Sequence, residues 1–523
     1  MGRPTRALGG AVVLAAVAGG LFFQGLGRYP LLDPDEARHA EVAREMAAAS
    51  GVRRLFLPTL DLEPYREKPA GYYWLVALAY GALGVGEVAA RAVSALAALV
   101  AVLALYAYAL PRGGPLAALG AGVVAATSVG WFGLARYGNL DMTLTACVTV
   151  GVLAGLAWLE RPAPRRGPLA PYVAAGLGLV VKGPLALVLV AGPLALAALV
   201  QRPRPRVRDL GLVRGTLVVV ALGALLWVPV GLLDASYLSA FAATNVRRLG
   251  AESPHAGPIH YYLLWVPALL FPWTLFAPGP LRRAARDPGQ RALLLWALFV
   301  PAVLTLARGK LATYALSALA PLALLVGPEL ASGPVAEDRT TRRAGGALAA
   351  LVLLAGAGAA LFAAPGHLAL PARAFLAAAA SGWAVGLLLV LRPGREHLVP
   401  AAVLGAVLTL YPLAGRWVAP AVAALHSDRE AARLIAGAGA GAGPVVAFGI
   451  HDPSLTFYLR APVVHTDDPG LVRDLFAGGG PAFLVTGPRH FAQVEQLLGA
   501  RARVWFETPR RRLYANRPVN GST

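Results

Sequence analysis

The chain has 523 residues, of which 57% are hydrophobic and 14% charged, against about 45–50% and about 25% in soluble globular proteins. With a mean hydropathy of +0.61, this excludes an ordinary water-soluble domain, because the excess recurs as Ala/Leu/Val/Gly runs of about 20 residues, enough to cross a bilayer. The formal charge of +20 does not point to nucleic acid, because the arginines are strung through short connections rather than gathered on one stripe.

Residues 7–27 follow Arg3 and Arg6 in the manner of a signal peptide. Their length and the lack of a small-x-small cleavage site predict instead a retained first helix. Further helices are predicted over 86–110, 115–133, 142–159, 168–181, 185–200, 212–233, 261–280, 291–307, 311–328, 345–364, 375–391 and 398–418, about thirteen with the first at 8–27. The single cysteine, Cys147, lies inside an apolar run; it cannot form an intrachain disulfide and reads as core packing.

The distribution of arginine orients these helices. With the N-terminus cytoplasmic, the connections 111–114, 160–167, 201–210, 281–290, 329–343 and 392–397 are cytoplasmic and hold most of the loop arginines. An odd number of helices then sends the C-terminal region outside. Two outer segments are long. The segment 28–85 includes an amphipathic stretch, 35–49, predicted to lie as a helix on the membrane surface; the segment 234–260 is a polar loop. From residue 424 the composition changes to β-rich runs at 444–450, 461–465, 481–486, 503–507 and 512–516. Helical patterns at 428–435, 470–476 and 491–498 alternate with them, and the Gly/Ala tract 436–443 reads as a linker. The fold class is thus an all-α polytopic membrane protein over 1–423, followed by a small α/β domain over 424–523 on the outer side; the family resemblance given below implies that this side is the periplasm and the membrane the bacterial inner one.

The polar residues hardest to explain as solubilising charge share the outer side. They are Asp33, Asp35 and Glu36; Arg66, Glu67 and Lys68; Arg136, Tyr137, Asn139 and Asp141; Lys182; Asn245, Arg247 and His255; and Arg308, Lys310 and Tyr314. A charge at the membrane centre costs about 2.5–3.5 kcal/mol, and less at a helix end. The carboxylates Asp35, Glu36 and Asp141 suit a general base or the orientation of an acceptor. The cations Lys68, Lys182, Arg308 and Lys310 suit a phosphate. Both kinds beside lipid fit a substrate with a polyprenyl tail and a phosphosugar head.

Each residue also has a plainer reading. Asp35 caps the helix after it, and Asp141 caps the fourth helix. Glu67 and Lys68 form a local ion pair. Lys182 and Lys310 snorkel, Arg136 is an interfacial cation, and His255 is an ordinary loop histidine. Tyr72, Tyr73, Trp74, Tyr261, Tyr262 and Trp265 fit an interfacial aromatic belt. His451, Asp452, His465, Asp467 and Asp468 read as surface loop residues. The shared sidedness of the set, rather than any one member, favours a polar cavity.

These residues also carry a family resemblance. Pro34-Asp35-Glu36-Ala37-Arg38, continuing to Glu41-Val42-Ala43-Arg44-Glu45-Met46, resembles the first loop of the aminoarabinose-transferase and protein-mannosyltransferase-related family. So do Glu67-Lys68-Pro69 with Tyr73-Trp74-Leu75, Arg136 through Asp141, Lys182-Gly183-Pro184, Asn245 through Arg247, His255 with Pro258 and Tyr261-Tyr262, and Gly309-Lys310-Leu311 with Tyr314. The resemblance implies a GT-C fold and a transfer, usually inverting, from a polyprenyl-phosphate-sugar donor to a lipid, glycan or protein acceptor on the periplasmic side. It implies Asp35 as base or acceptor-orienting carboxylate, Glu36 as its support and Asp141 as a second acidic position. Arg66, Lys68, Lys182, Arg308 and Lys310 are implied at the donor phosphate, and Tyr314, Asn245 and Arg247 as substrate contacts. Glu67 and His255 match positions where family members can hold a metal, zinc being chemically acceptable; no cofactor is otherwise called for. The chain departs from the family at Thr244-Asn245, Gly309 and Pro69-Ala70. A flippase for polyprenyl-linked or anionic lipid is the rival reading. It predicts charges in mid-helix and an inverted repeat, and the sequence shows neither.

Overall fold

The computed structural model describes the chain apart from residues 1–2, 162–166, 251–254, 333–338, 363–369, 393, 439–442, 479 and 517–523. Arg165 and Arg166 of one predicted cytoplasmic connection, and residues 439–442 of the predicted linker, lie outside the described residues. The chain separates into two compact units. The first comprises Met1–Gln24, Arg66–Leu75 and Arg91–Gly415; the second comprises Gly25–Tyr65, Val76–Ala90 and Arg416–Thr523.

The first unit is helical. Among the described residues of the whole chain, nine helices are long and apolar enough to cross a membrane, and three shorter apolar helices accompany them: Ala170–Lys182, Leu185–Val200 and Tyr261–Leu270. The predicted pair 86–110 and 115–133 appears as one 41-residue run, Glu87–Thr127, broken at Gly114, whose φ of 77° no helix contains. Pro111 and Pro115 flank that break and remove the amide donors that would carry the ladder across it. The predicted helix 261–280 stops at Leu270 and continues as short pieces, Trp273–Phe276 and Pro278–Arg286. The polar loop expected over 234–260 contains a 15-residue helix, Ala235–Leu249.

The second unit is built on a five-stranded sheet in the order Val464–Thr466, Val445–Phe448, Phe483–Thr486, Arg512–Ala515, Arg503–Glu507. The first three strands run parallel and the last two antiparallel. Parallel pairs need crossovers, supplied by Pro453–Leu459 and Pro469–Ala477. The central strands Val445–Phe448 and Phe483–Thr486 are buried along their length and read as continuous apolar runs, as two-sided burial requires.

The helix Asp35–Ala48 belongs to this unit and corrects an expectation. Its residues Glu36, Ala37, His39, Ala40, Glu41, Val42, Ala43, Glu45 and Met46 are buried, so it packs into the unit's core on more than its apolar side. Its charged side chains are consumed inside the unit. Arg44 pairs with Glu41 at 2.6 Å, and Glu45 accepts bonds from the Thr59 hydroxyl and from the Leu62 amide at 3.1 Å. The latter two belong to the hairpin Thr59–Leu60/Glu63–Pro64, whose turn residues Asp61 and Leu62 both have positive φ. A two-residue hairpin favours that geometry and usually fills it with Asn or Gly; here Glu45 braces it.

Candidate active site

In the first unit the charged residues converge on the ends of helices. Asn139 caps Leu140–Leu159, accepting from the Met142 amide at 2.9 Å. Asp141 is therefore not the cap, and its carboxylate is left for other partners. Lys182 ends the helix Ala170–Lys182, where a cation complements the negative helix terminus, and forms an ion pair with Asp141 Oδ1. The Thr313 hydroxyl donates to Asp141 Oδ2 at 2.9 Å, and the Lys182 ammonium lies 4.4 Å from the centre of the Tyr314 ring. The chain turns away after Lys182 at Gly183, whose φ is 97° and where a Cβ would stand 3.0 Å from the Phe241 ring. Only glycine takes that conformation without strain. The Lys182 side chain is 8% exposed, so it is an internal charge with a partner rather than a snorkelling one.

The segment carrying Lys68 is fixed from three directions. Arg66 pairs with Asp234 at 3.0 Å. Asp234 also caps Ala235–Leu249 through the Ser236 amide at 3.0 Å. The bonds from Ser236 and then from Arg66 hold the Asp234 carboxyl below the usual range. The Tyr237 hydroxyl donates to the Lys68 carbonyl at 2.5 Å. Gly71 packs so closely on the helix Ala170–Lys182 that a Cβ would lie 2.5 Å from the Val180 carbonyl oxygen.

Several expected site residues have other employment. Lys310 is 4% exposed, and its ammonium donates to the carbonyls of Thr305, at 3.1 Å, and Ala307. It closes the end of Arg291–Thr305, and burial followed by the neighbouring Arg308 lowers its pKa. Arg308 itself is exposed. Arg136 donates to the Leu21 and Gln24 carbonyls at 2.9 and 2.5 Å, clamping the end of the first helix. The Asn245 amide bonds back to Phe241 of its own helix at 2.8 Å, and Arg247 is exposed. Tyr72, Tyr73 and Tyr262 are at most 1% exposed and belong to the core, not to an interfacial belt; Trp265, at 42%, fits the belt.

Glu67 and His255 are both exposed. Their carboxylate and imidazole are donors that zinc accepts. Among the described residues, the one group of three metal-type side chains is Asp33, Asp428 and Asp452, so the pair gains no third donor from such a group. Two donors do not define a resident metal, and no chemical step is assigned to one.

Asp35 and Glu36 lie in the second unit. Asp35 opens its helix without making a side-chain cap bond. It is 53% exposed and pairs with Arg38 at 2.9 Å. Glu36 is fully buried and accepts the Leu32 amide at 2.9 Å, holding the loop that enters the helix. Adjacent carboxylates thus divide into one that is solvent-facing and one that is structural. The same loop is held farther back: the Asp33 amide donates to the His426 carbonyl at 2.8 Å, the Ser454 amide to Asp33 Oδ1 at 2.9 Å, and the Leu31 amide to the Tyr458 hydroxyl at 2.8 Å.

Thr313, Asp234 and Tyr237 were not singled out in the sequence. Asp234 carried a signal, since an Asp directly after an apolar helix and two residues before a Ser is a helix-cap pattern. Thr313 and Tyr237 carried none.

Apolar helices ended by paired charges, together with a mixed α/β unit, are the makings of a GT-C-type fold. The match is to ArnT from Cupriavidus metallidurans bound to undecaprenyl phosphate, with a TM-score of 0.79 and 23% identity over 98% of this chain and 99% of that one. The apo form of that protein gives a TM-score of 0.80 over 98% of each chain. Residues 67–232 match the family described as dolichyl-phosphate-mannose-protein mannosyltransferase. Among curated relatives, the undecaprenyl phosphate-alpha-4-amino-4-deoxy-L-arabinose arabinosyl transferase of Pectobacterium atrosepticum is 31% identical over 60% of this chain and 57% of its own length. The protein of the same name from Pseudomonas aeruginosa is 32% identical over 61% of this chain and 59% of its own. The aligned region thus spans less than two thirds of these relatives.

Proposed function

We propose that this chain is a membrane glycosyltransferase that moves a sugar from a polyprenyl-phosphate donor, of the undecaprenyl-phosphate type, to a lipid, glycan or protein acceptor at the periplasmic face of the bacterial inner membrane, with inversion. The N-terminus is then cytoplasmic, and residues 424–523 form the periplasmic α/β domain. The observation that carries this reading is the Lys182–Asp141–Thr313 cluster with Tyr314, in a fold shared with a protein solved with undecaprenyl phosphate.

In this reading Asp35 takes the proton of the acceptor nucleophile as the nucleophile attacks the anomeric carbon. The bond from that carbon to the phosphate oxygen breaks, and the polyprenyl phosphate leaves as an anion. A phosphate is a good leaving group without protonation, so the remaining task is to hold its charge. Lys68, Lys182 and the exposed Arg308 are the cations assigned to it. Arg66 fixes the Lys68 segment through Asp234, and Asp141 sets the position of Lys182. Lys310 contributes by closing the helix end beside Arg308. Tyr314 lines the donor side, with Asn245 and Arg247 as outer contacts.

The test is transfer of label from a panel of radiolabelled polyprenyl-phosphate sugars to lipid, glycan and protein acceptors by the purified protein. Label that moves with the native chain and is lost in folded Asp35→Asn and Lys68→Ala variants supports the reading. Binding of lipid-linked sugar, or its passage across vesicles, with no transfer over the panel would replace the transferase with a flippase.

A further inference from the structure

Among the described residues of the second unit, three carboxylates gather around one arginine. One carboxylate oxygen from each of Asp33, Asp428 and Asp452 lies within 4.8 Å of the other two. The three come from separated stretches of chain: Asp33 from the loop before Asp35–Ala48, Asp428 from the cap of Arg429–Gly437, and Asp452 from the cap of Pro453–Leu459. Asp428 is 1% exposed, and the other two are half-buried.

Arg511 answers part of this charge. Its Nε donates to Asp428 Oδ1 at 2.8 Å, and a terminal nitrogen pairs with Asp452 Oδ2. The nearby His465 is engaged with Asp61 at 3.4 Å. Asp33 accepts only neutral donors, the amide and hydroxyl of Ser454. Three carboxylates thus face one guanidinium. Asp428 Oδ2 is buried and has no hydrogen-bond partner. A buried carboxylate oxygen in that condition is costly unless something positive meets it.

We propose that Asp33, Asp428 and Asp452 bind one hard divalent cation, with calcium as the probe ion. Carboxylate oxygens are the ligands such ions select, and a dication restores the balance that Arg511 leaves short. Arg511 occupies Asp428 Oδ1 and Asp452 Oδ2, and Asp428 Oδ2 is left without a hydrogen-bond partner. The bound ion ties the loop two residues before Asp35 to the cap regions of two helices of the C-terminal sheet.

The experiment uses the full chain in detergent, stripped with a chelator and dialysed against radioactive calcium, with Glu67→Gln as a parallel protein to separate this site from any metal at Glu67 and His255. The expected result is about one calcium per chain in both the native and Glu67→Gln proteins, and at least a tenfold weaker affinity in Asp452→Asn. The melting temperature rises with calcium in the native protein and not in Asp452→Asn. Asp33→Asn serves where Asp452→Asn does not fold, with folding of the C-terminal region read by limited proteolysis. Calcium retained undiminished in both variants overturns the assignment. So does a native protein that binds no calcium and is instead stabilised by acidification, since protons would then fill the place given to the ion.

Discussion

The two units handle buried charge differently. In the first, the charges singled out above meet partners at helix ends: Lys182 meets Asp141, Arg66 meets Asp234, and Lys310 and Arg136 meet carbonyls. In the second, three carboxylates share one arginine. A matched pair fixes geometry, because neither partner can leave without exposing the other. A surplus of one sign requires a further ion or proton. The first pattern suits a site that must present cations in fixed positions, and the second suits a joint between distant parts of the chain.

Substitutions can break this contrast. The largest effect on transfer is expected at Asp35, with a loss of about 10²- to 10⁴-fold in Asp35→Asn, the usual worth of a general base. The melting temperature stays unchanged, because the side chain is 53% exposed; a large fall in melting temperature would make Asp35 structural. Lys182→Met strands a mostly buried Asp141 and should cost about 3–5 kcal/mol of stability. Adding Asp141→Asn should recover most of that stability but none of the transfer. If transfer returns as well, the pair only holds helices together.

In the second unit, Arg511→Met should cost about 3 kcal/mol, measured by denaturant unfolding, and calcium should restore part of it. Thr313→Val removes one hydrogen bond to Asp141 and should cost about 1 kcal/mol, read as about a fivefold drop in turnover. The smallest effect is a pH dependence at His465, which faces Asp61, Asp428 and the stacked ring of His451 at 5.5 Å. Burial alone would lower its pKa, but Asp61 raises it above 6.5. Burial would raise Asp61, but His465 brings it below 3.8. The histidine's contribution is therefore complete below pH 6.5 and fades as pH rises through its raised value. That of Asp61 is present above pH 3.8 and fades as pH falls through its lowered value. Melting of the C-terminal unit should show stabilisation between these limits, and His465→Gln should flatten it.

The sequence was most legible where one signal dominated. Helices such as 185–200 and 212–233 appear at the predicted bounds, since nothing competes with a continuous apolar run. The strand at 503–507 and the helix at 491–498 are equally direct. Asp35–Ala48 was legible as a helix but not as a buried one. Its alternation of Ala with charge looks amphipathic, and only the partners of Glu36, Glu41 and Glu45 show where those charges go. Of the candidate site, Asp141 and Lys182 were found as separate residues. That they meet, with Thr313 as a third member, depends on three elements that are distant in sequence.

The sequence by itself determined the class of the molecule. An apolar excess of this size requires membrane-length helices, and the change of composition after residue 424 requires a separate sheet. Tertiary structure alone decided which of two adjacent carboxylates, Asp35 or Glu36, faces solvent. It also turned Lys310 inward to helix carbonyls and gathered Asp33, Asp428 and Asp452. The reason is physical: hydrophobicity and periodicity are local sums over neighbouring residues, whereas the role of a charge depends on the one partner that comes within about 4 Å, and that partner can be hundreds of residues away.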